Sequence, residues 1–296
     1  ISRSAIWKHI NVLRREGYQI EAKSASGYQL IAPPSHLTAW EIEASLDTEQ
    51  IGKKVHFFPD ADSTNTVAFQ LALHGASEGE VVVVEAQTAG KGRMGRRWES
   101  PVGVNIYLSI ILRPLFAPSK IPMITLMTAV ACAEAIEEAT EVLPAIKWPN
   151  DLLLGNKKLG GILTEADMEM DRINFVIVGI GINVNMRHSA FPSSLRDSAT
   201  SLQEALGKEV SRVSLIQAIL RRFELWYTRF KEGKGEAITR RWEELSQMRG
   251  KKVAITFMGE TVQGKALEID ADGALLIQDE RGEVKRIVAG DVHVRG

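Results

Sequence analysis

The chain has 296 residues, 45% hydrophobic and 25% charged, with a formal net charge of −1. That length predicts two or three domains, and the near-neutral balance excludes any global attraction to nucleic acid or an anionic membrane, leaving only local ones. The single cysteine, Cys132, excludes an intramolecular disulfide and any multi-cysteine metal site; with no long apolar run and no leader, the expected location is the cytoplasm.

The first residue is Ile rather than Met, so a preceding stretch is expected. Ser4 to Arg15 carries Ile6, Ile10 and Leu13 at helical spacing and stops at Gly17. Tyr18–Ile20 and Tyr28–Leu30 flank a Ser/Gly turn, which predicts a hairpin. Helix plus hairpin is the second half of a winged helix-turn-helix. Residues 1–30 hold five Lys/Arg against two Glu, a local charge of +3. That is the footprint DNA binding needs, and Ser2, Arg3, Lys8 and Arg14 are its candidate contacts. The competing reading is a basic helix packed on the next domain.

Ala32-Pro33-Pro34-Ser35 reads as a stiff connector, and Thr38-x-x-Glu41 as a capping box opening a helix through Leu46. Val55–Phe58 is the first strand of the main domain. Ser63, Thr64 and Asn65 then precede a helical run that ends at Gly75. By residue type they are helix caps; the functional alternative is convergence on a polar ligand at the helix start.

Val81–Val84 and Ile106–Leu112 read as two buried strands. Gln87 to Trp98 lies between them, with glycines at 90, 92 and 95 and the cations Lys91, Arg93, Arg96 and Arg97. Four like charges on one short loop repel unless an anion neutralises them, so the loop reads as an anion-binding one. Its Gly-x-Gly-x-x-Gly match is no dinucleotide fingerprint, because a strand rather than a helix follows it.

Ile121–Ala139 is a helix with Cys132 buried in it as a structural thiol. Lys147, between Ala145-Ile146 and Trp148-Pro149-Asn150-Asp151, reads either as part of a tight turn or as emerging from a strand end toward a pocket. Leu152–Leu154 and Lys158–Leu163 form a hairpin, and Asn174–Asn185 a long strand whose Gly179 and Gly181 mark close approach by a ligand or backbone. Ser211–Phe230 and about 236–247 are helices; short strands with glycine turns from Gly250 onward predict a small closed β-barrel. Six scattered histidines and the lack of a Gly-x-Ser-x-Gly elbow leave zinc or nucleophilic catalysis little support.

Asp-Ser-Thr-Asn at 62–65, Gln-Thr-Ala-Gly-Lys-Gly-Arg-Met-Gly-Arg at 87–96, Lys-Trp-Pro-Asn-Asp at 147–151, Lys-Leu-Gly-Gly-Ile-Leu at 158–163 and Gly-Ile-Gly-Ile-Asn at 179–183 together resemble the biotin–protein ligases, in the form that doubles as a DNA-binding repressor. The resemblance implies an α+β fold: a central mixed β-sheet with flanking helices, class II synthetase-like, over residues 35–248. A partial winged helix-turn-helix (1–34) would precede it and an SH3-like barrel (249–296) follow it. It implies that biotin and ATP with Mg²⁺ give biotinyl-5′-adenylate, which acylates a lysine of a carboxylase's biotin carrier domain. A homodimer would repress biotin genes at an operator.

Carried over, Ser63, Thr64, Asn65, Gln87, Lys91 and Gly92 would hold biotin, with Arg93 and Lys147 shared between both substrates as the catalytic pair. Gly90, Arg96, Trp98, Asn150 and Asn183 would complete the ATP side, and Asn150 and Asp151 would face the metal. No permanently bound metal is expected. Two rivals remain: a lipoate–protein ligase, against which the polar Ser63-Thr64-Asn65 argues, and a repressor that senses a ligand without catalysis.

Overall fold

The computed structural model describes residues 2–24, 26–32, 34, 36–170, 172–257 and 259–295. Helix α1 (Arg3–Arg15) starts at Ser2, whose hydroxyl accepts the Ala5 N–H at 3.2 Å. The expected hairpin follows as antiparallel β1 (Gln19–Lys23) and β2 (Gly27–Ala32). Pro33 and Ser35 of the expected stiff connector lie outside the described residues. Thr38 caps α2 (Ala39–Glu43) by accepting the Glu41 N–H at 3.1 Å. Only half the capping box forms: the Glu41 carboxylate accepts the Tyr18 hydroxyl at 2.8 Å instead, and the helix ends at Glu43 rather than Leu46. Glu41 thereby ties the hairpin to the main domain.

Then come β3 (Val55–Ala61), α3 (Thr64–Leu73), β4 (Val81–Gln87), β5 (Ile106–Leu112), α4 (Ile121–Thr140), β6 (Ala145–Lys147), β7 (Asp151–Leu154), β8 (Lys157–Glu169) and β9 (Arg172–Ile182). They form one seven-stranded sheet in the order β3-β4-β5-β9-β8-β7-β6, parallel only between β3 and β4. The sheet is mixed, as expected. Strand β8 runs past Leu163 because its far half pairs with β9 as far as Glu169 opposite Arg172. Strand β9 stops at Ile182, so Asn183 stands just beyond its end.

Helices α5 (Leu202–Leu206), α6 (Arg212–Lys231) and α7 (Gly235–Leu245) complete the domain. Helix α4 is apolar around most of its circumference because it is enclosed by the sheet, α6 and α7. By length and composition it could cross a membrane, yet most of it is buried inside the protein. Cys132 is fully buried there, and burial pushes its thiol far above the usual range.

The C-terminal strands β10 (Lys252–Phe257), β11 (Glu260–Ile269), β12 (Leu275–Gln278), β13 (Val284–Ile287) and β14 (Asp291–Arg295) pair antiparallel in the order β13-β12-β11-β10-β14. Among the described residues no ladder joins the outer two, so backbone pairing alone leaves the expected barrel unclosed. The module is fastened by the Trp148 indole N–H, which donates to Gly273 O at 3.1 Å, and by the Lys120–Asp272 pair at 2.8 Å.

One ion pair is deeply buried. The Arg212 guanidinium meets both oxygens of Glu85 at 2.6 and 3.1 Å, while Glu85 also accepts the Leu37 N–H and Arg212 donates to Asn105 O. The pair joins β4, α6, the start of β5 and the segment before α2. Arg212→Met leaves the carboxylate buried without its partner, so stability falls by about 3–5 kcal/mol. Urea unfolding reads this as a lower midpoint; a shift worth under about 1 kcal/mol would mean that water reaches Glu85.

Candidate functional site

A cavity of about 400 Å³ opens over the β8 and β9 face, between the start of α3, the glycine-rich loop, the Lys147–Asp151 turn and β14. Of the sequence-predicted ligand residues, Ser63, Thr64, Asn65, Gln87, Lys91, Gly92, Arg93, Arg96, Trp98, Lys147, Asn150, Asp151 and Asn183 all line it. Gly90 does not. A side chain there would strike the Trp98 carbonyl, and Gly90 O accepts the Trp98 N–H at 2.8 Å, so this glycine closes the loop's base.

The loop is a small hairpin of its own. Lys91 bridges Arg97, Gly92 N–H donates to Arg96 O at 2.6 Å, and Met94 and Gly95 turn the tip at φ 55° and 73°. Arg97 donates to Thr88 O at 3.0 Å, Arg96 pairs with Asp291 of β14, and Lys91 reaches Glu165 at 3.5 Å. Arg93 Nη1 donates to Asn150 Oδ1 at 3.2 Å. Burial lowers the Arg93 pKa, opposed by Asp291 and Asp151, and the guanidinium stays cationic at neutral pH. The like charges are thus separated by individual acceptors.

At one end of the cavity the cap reading fails. The Ser63 side chain makes no cap bond; Gln87 Oε1, reaching from β4, accepts the Thr64 N–H at 2.9 Å. Gln87 is fixed in turn by donating to Ser100 Oγ at 2.8 Å. The Ser63 hydroxyl is left with no protein partner among the described residues, in a side chain that lines the cavity. Asn65 is fully engaged: Nδ2 donates to Leu163 O at 3.2 Å and Glu165 Oε2 at 2.7 Å, and Oδ1 accepts the Ser109 hydroxyl at 2.6 Å. Gly179 makes room for it, since a Cβ there would overlap Asn65 Oδ1. Asn65 therefore braces the closed end, and Ser63, Thr64 and Gln87 present the polar surface.

At the other end, Asn183 donates from Nδ2 to Thr200 O at 3.0 Å and accepts from Asn105 at 3.4 Å. Met186, Phe191 and Ala199 form an apolar wall beside it. Trp98 lies on Gly181, where a Cβ would come within 2.8 Å of the indole nitrogen, and that N–H is buried with no acceptor. An unmet buried donor costs about 1–3 kcal/mol, which a ligand acceptor would recover.

Lys158 also lines the cavity, a candidate site residue that sequence reasoning missed. Its ammonium stands 5.5 Å from the Trp98 ring centroid and 2.6 Å from Asp151, and a Cβ on Gly161 would lie 3.5 Å from it. Gly161 pairs with Gly181, midway between Gly179 at the closed end and Asn183 at the open one. Two strand residues span about 7 Å, so Lys158 sits about 7 Å from each end. Lys147 lies on the far side of Asp151 at 3.4 Å. The signal available was the repeat of lysines flanking a short hairpin.

Asp151 and Asn150 do not fit a resident magnesium ion. The Asp151 carboxylate lies between two ammonium groups, and Asn150 is held by Arg93 and by its own donation to Ile162 O at 2.8 Å. Among the described residues no group of three His, Cys, Asp or Glu could hold a metal. In the N-terminal unit, Arg3 and Lys8 are exposed on α1. Arg14 instead clamps helix to hairpin, donating to Ile20 O at 3.0 and 2.7 Å beneath the Tyr28 ring, and Ser2 is a cap.

Comparison with known proteins matches these parts one by one. Residues 57–183 match the biotin/lipoate A/B protein ligase family, 250–295 the biotin protein ligase C-terminal domain and 1–29 an HTH domain. The chain is 43% identical over 293 residues to the bifunctional ligase/repressor BirA of Bacillus subtilis (strain 168), covering 99% of this chain and 90% of that protein. It is 32% identical over 295 residues to BirA of Escherichia coli (strain K12), covering 100% of this chain and 89% of that protein. A solved structure, the biotin protein ligase from Aquifex aeolicus in complex with biotin and ATP, has a TM-score of 0.71 at 32% identity, covering 82% of this chain and 99% of that one.

Proposed function

This chain belongs to the biotin protein ligase family, in its bifunctional ligase/repressor form, and we propose how its cavity carries the ligase reaction. As an ATP-dependent biotin–protein ligase it first joins a biotin carboxylate oxygen to the α-phosphorus of ATP, breaking the bond to pyrophosphate. A lysine amine of the biotin carrier domain then attacks the acyl carbon, loses a proton and expels AMP.

The observation that carries our residue assignment is the position of Lys158, halfway along the floor. Ser63, Thr64 and Gln87 take the polar ureido end of biotin, and Asn65 keeps that end in shape. Trp98, Asn183 and the Met186–Phe191–Ala199 wall take the adenine. The carboxylate and α-phosphate then meet between these two ends, beside Lys158. Negative charge gathers there as the new bond forms, and a fixed ammonium stabilises it without reorganisation. Asp151 is assigned to holding Lys158 and Lys147 in place. Lys147 and Arg93 act toward the outer phosphates, where any magnesium arrives with the nucleotide.

We further assign three domains, 1–34, 35–248 and 249–296, and a cytoplasmic location, where ATP and the acceptor are found. Arg3 and Lys8 are the DNA-facing cations of the N-terminal unit. A homodimer would use the open edge of the sheet at β3, whose outer backbone groups are unpaired within the sheet.

ATP–pyrophosphate exchange with biotin and lipoate in parallel tests the reading. Exchange with biotin alone is expected, because the buried Ser63 hydroxyl, without a protein partner among the described residues, needs a polar ligand end. Exchange with lipoate alone would overturn the substrate assignment, and exchange with neither would favour a non-catalytic sensor.

A further inference from the structure

We propose that Glu165 is a positioning residue that couples closure of the glycine-rich loop to the shape of the biotin end of the cavity. The inference rests on the ligase reading above. Gly161, Leu163 and Glu165 leave the same face of β8, at successive alternate positions. The first two line the cavity, whereas Glu165 lies just beyond its closed end, so it is not a ligand group itself.

Its two carboxylate oxygens have different partners. Oε2 accepts Asn65 Nδ2 at 2.7 Å, inside the network that also holds Leu163 O and the Ser109 hydroxyl. Oε1 faces Lys91 Nζ at 3.5 Å, on the loop that covers the site. One end of Glu165 is therefore anchored in sheet and helix, and the other offers a charge to the loop, a small hairpin with a glycine turn. Two of the loop's other side-chain contacts, Arg96 to Asp291 and Arg93 to Asn150, lie toward the nucleotide side. On the biotin side the base of the loop is held by backbone bonds from Thr88 and Ala89 to Ala61 O and Asp62 O, and Lys91–Glu165 is the ion pair further out.

Asn65 can present Oε2's partner correctly only when the closed end is formed, because its remaining bonds all run to β5 and β8. Glu165 is then aimed at Lys91, and the loop has a counter-charge to close on. Either a lysine or an arginine at position 91 would serve, since the contact asks for a cation rather than a particular donor geometry. The pair is partly exposed, 43% for the Lys91 side chain and 34% for Glu165, so its effect belongs to closure kinetics rather than global stability.

The test uses the full chain and preformed, labelled biotinyl-5′-adenylate, chased with excess unlabelled adenylate. Because the adenylate is supplied, the off-rate is read whether or not the chain makes it, and pyrophosphate exchange judges the ligase reading separately. Glu165→Gln keeps an acceptor for Asn65 but removes the charge; Lys91→Met removes the other charge. Each single variant is expected to release adenylate about fivefold faster at low salt, and the double variant no faster than either. High salt should bring the parent chain toward the variants. An unchanged off-rate in Glu165→Gln, or single effects that multiply in the double variant, would overturn the coupling. Multiplying effects are what a merely structural Glu165 would give.

Discussion

Lys158→Ala is expected to slow adenylate formation by about a hundredfold, the scale for removing one preorganised charge from a reacting centre. The ammonium lies over the floor at Gly161, beside Trp98, and next to the stretch of cavity where the carboxylate and α-phosphate would have to meet. Removing it leaves two like-charged reactants facing each other with no cation between them. Binding should suffer less than turnover, because the ureido and adenine contacts come from other residues, Ser63, Thr64 and Gln87 at one end and Asn183 at the other. Single-turnover pyrophosphate release separates the two. Lys147→Ala serves as the comparison: Lys147 stands behind Asp151, so its loss should cost less. If Lys147→Ala were the slower of the two, the roles of the lysines would have to be exchanged.

Arg93→Gly should release the adenylate about ten- to a hundredfold faster while leaving much of its formation intact. The guanidinium is the half-buried fastening between the loop and Asn150, and a charge-assisted bond of this kind is worth roughly 1.5–3 kcal/mol. Glycine also adds backbone freedom next to Gly92, so the loop's open states gain population. Formation depends more on the cations at the floor, which stay put. A chase of labelled adenylate reads the off-rate directly, and an off-rate equal to that of the parent would show that Arg93 does not hold the loop.

The elements were legible because their signals are local. The Val81–Val84 and Ile106–Leu112 runs, the α4 and α6 helices and the wing hairpin all appear where the sequence puts them. Gly179 and Gly181 were legible as places of close approach, but not what approaches: Asn65 at one and Trp98 at the other. What failed was long-range. Ser63 reads as a cap until Gln87, 24 positions further on, is seen taking the Thr64 N–H in its place. Asp151 shows nothing of its ammonium partner until Lys158 folds back across the hairpin to it. Glu41 reads as the return half of a capping box until Tyr18 reaches it. In each case the side chain's partner comes from another element, which no spacing rule supplies.

The buried thiol of Cys132 has a practical consequence. It is the chain's single cysteine, enclosed in α4 and held in its unreactive protonated form. The folded protein therefore offers no competing site to a thiol-directed dye. A cysteine introduced at Met94, exposed at the loop tip, would be the one position labelled. A fluorophore there turns the opening and shutting of the site into an optical signal, followed in the otherwise native sequence with no background to subtract.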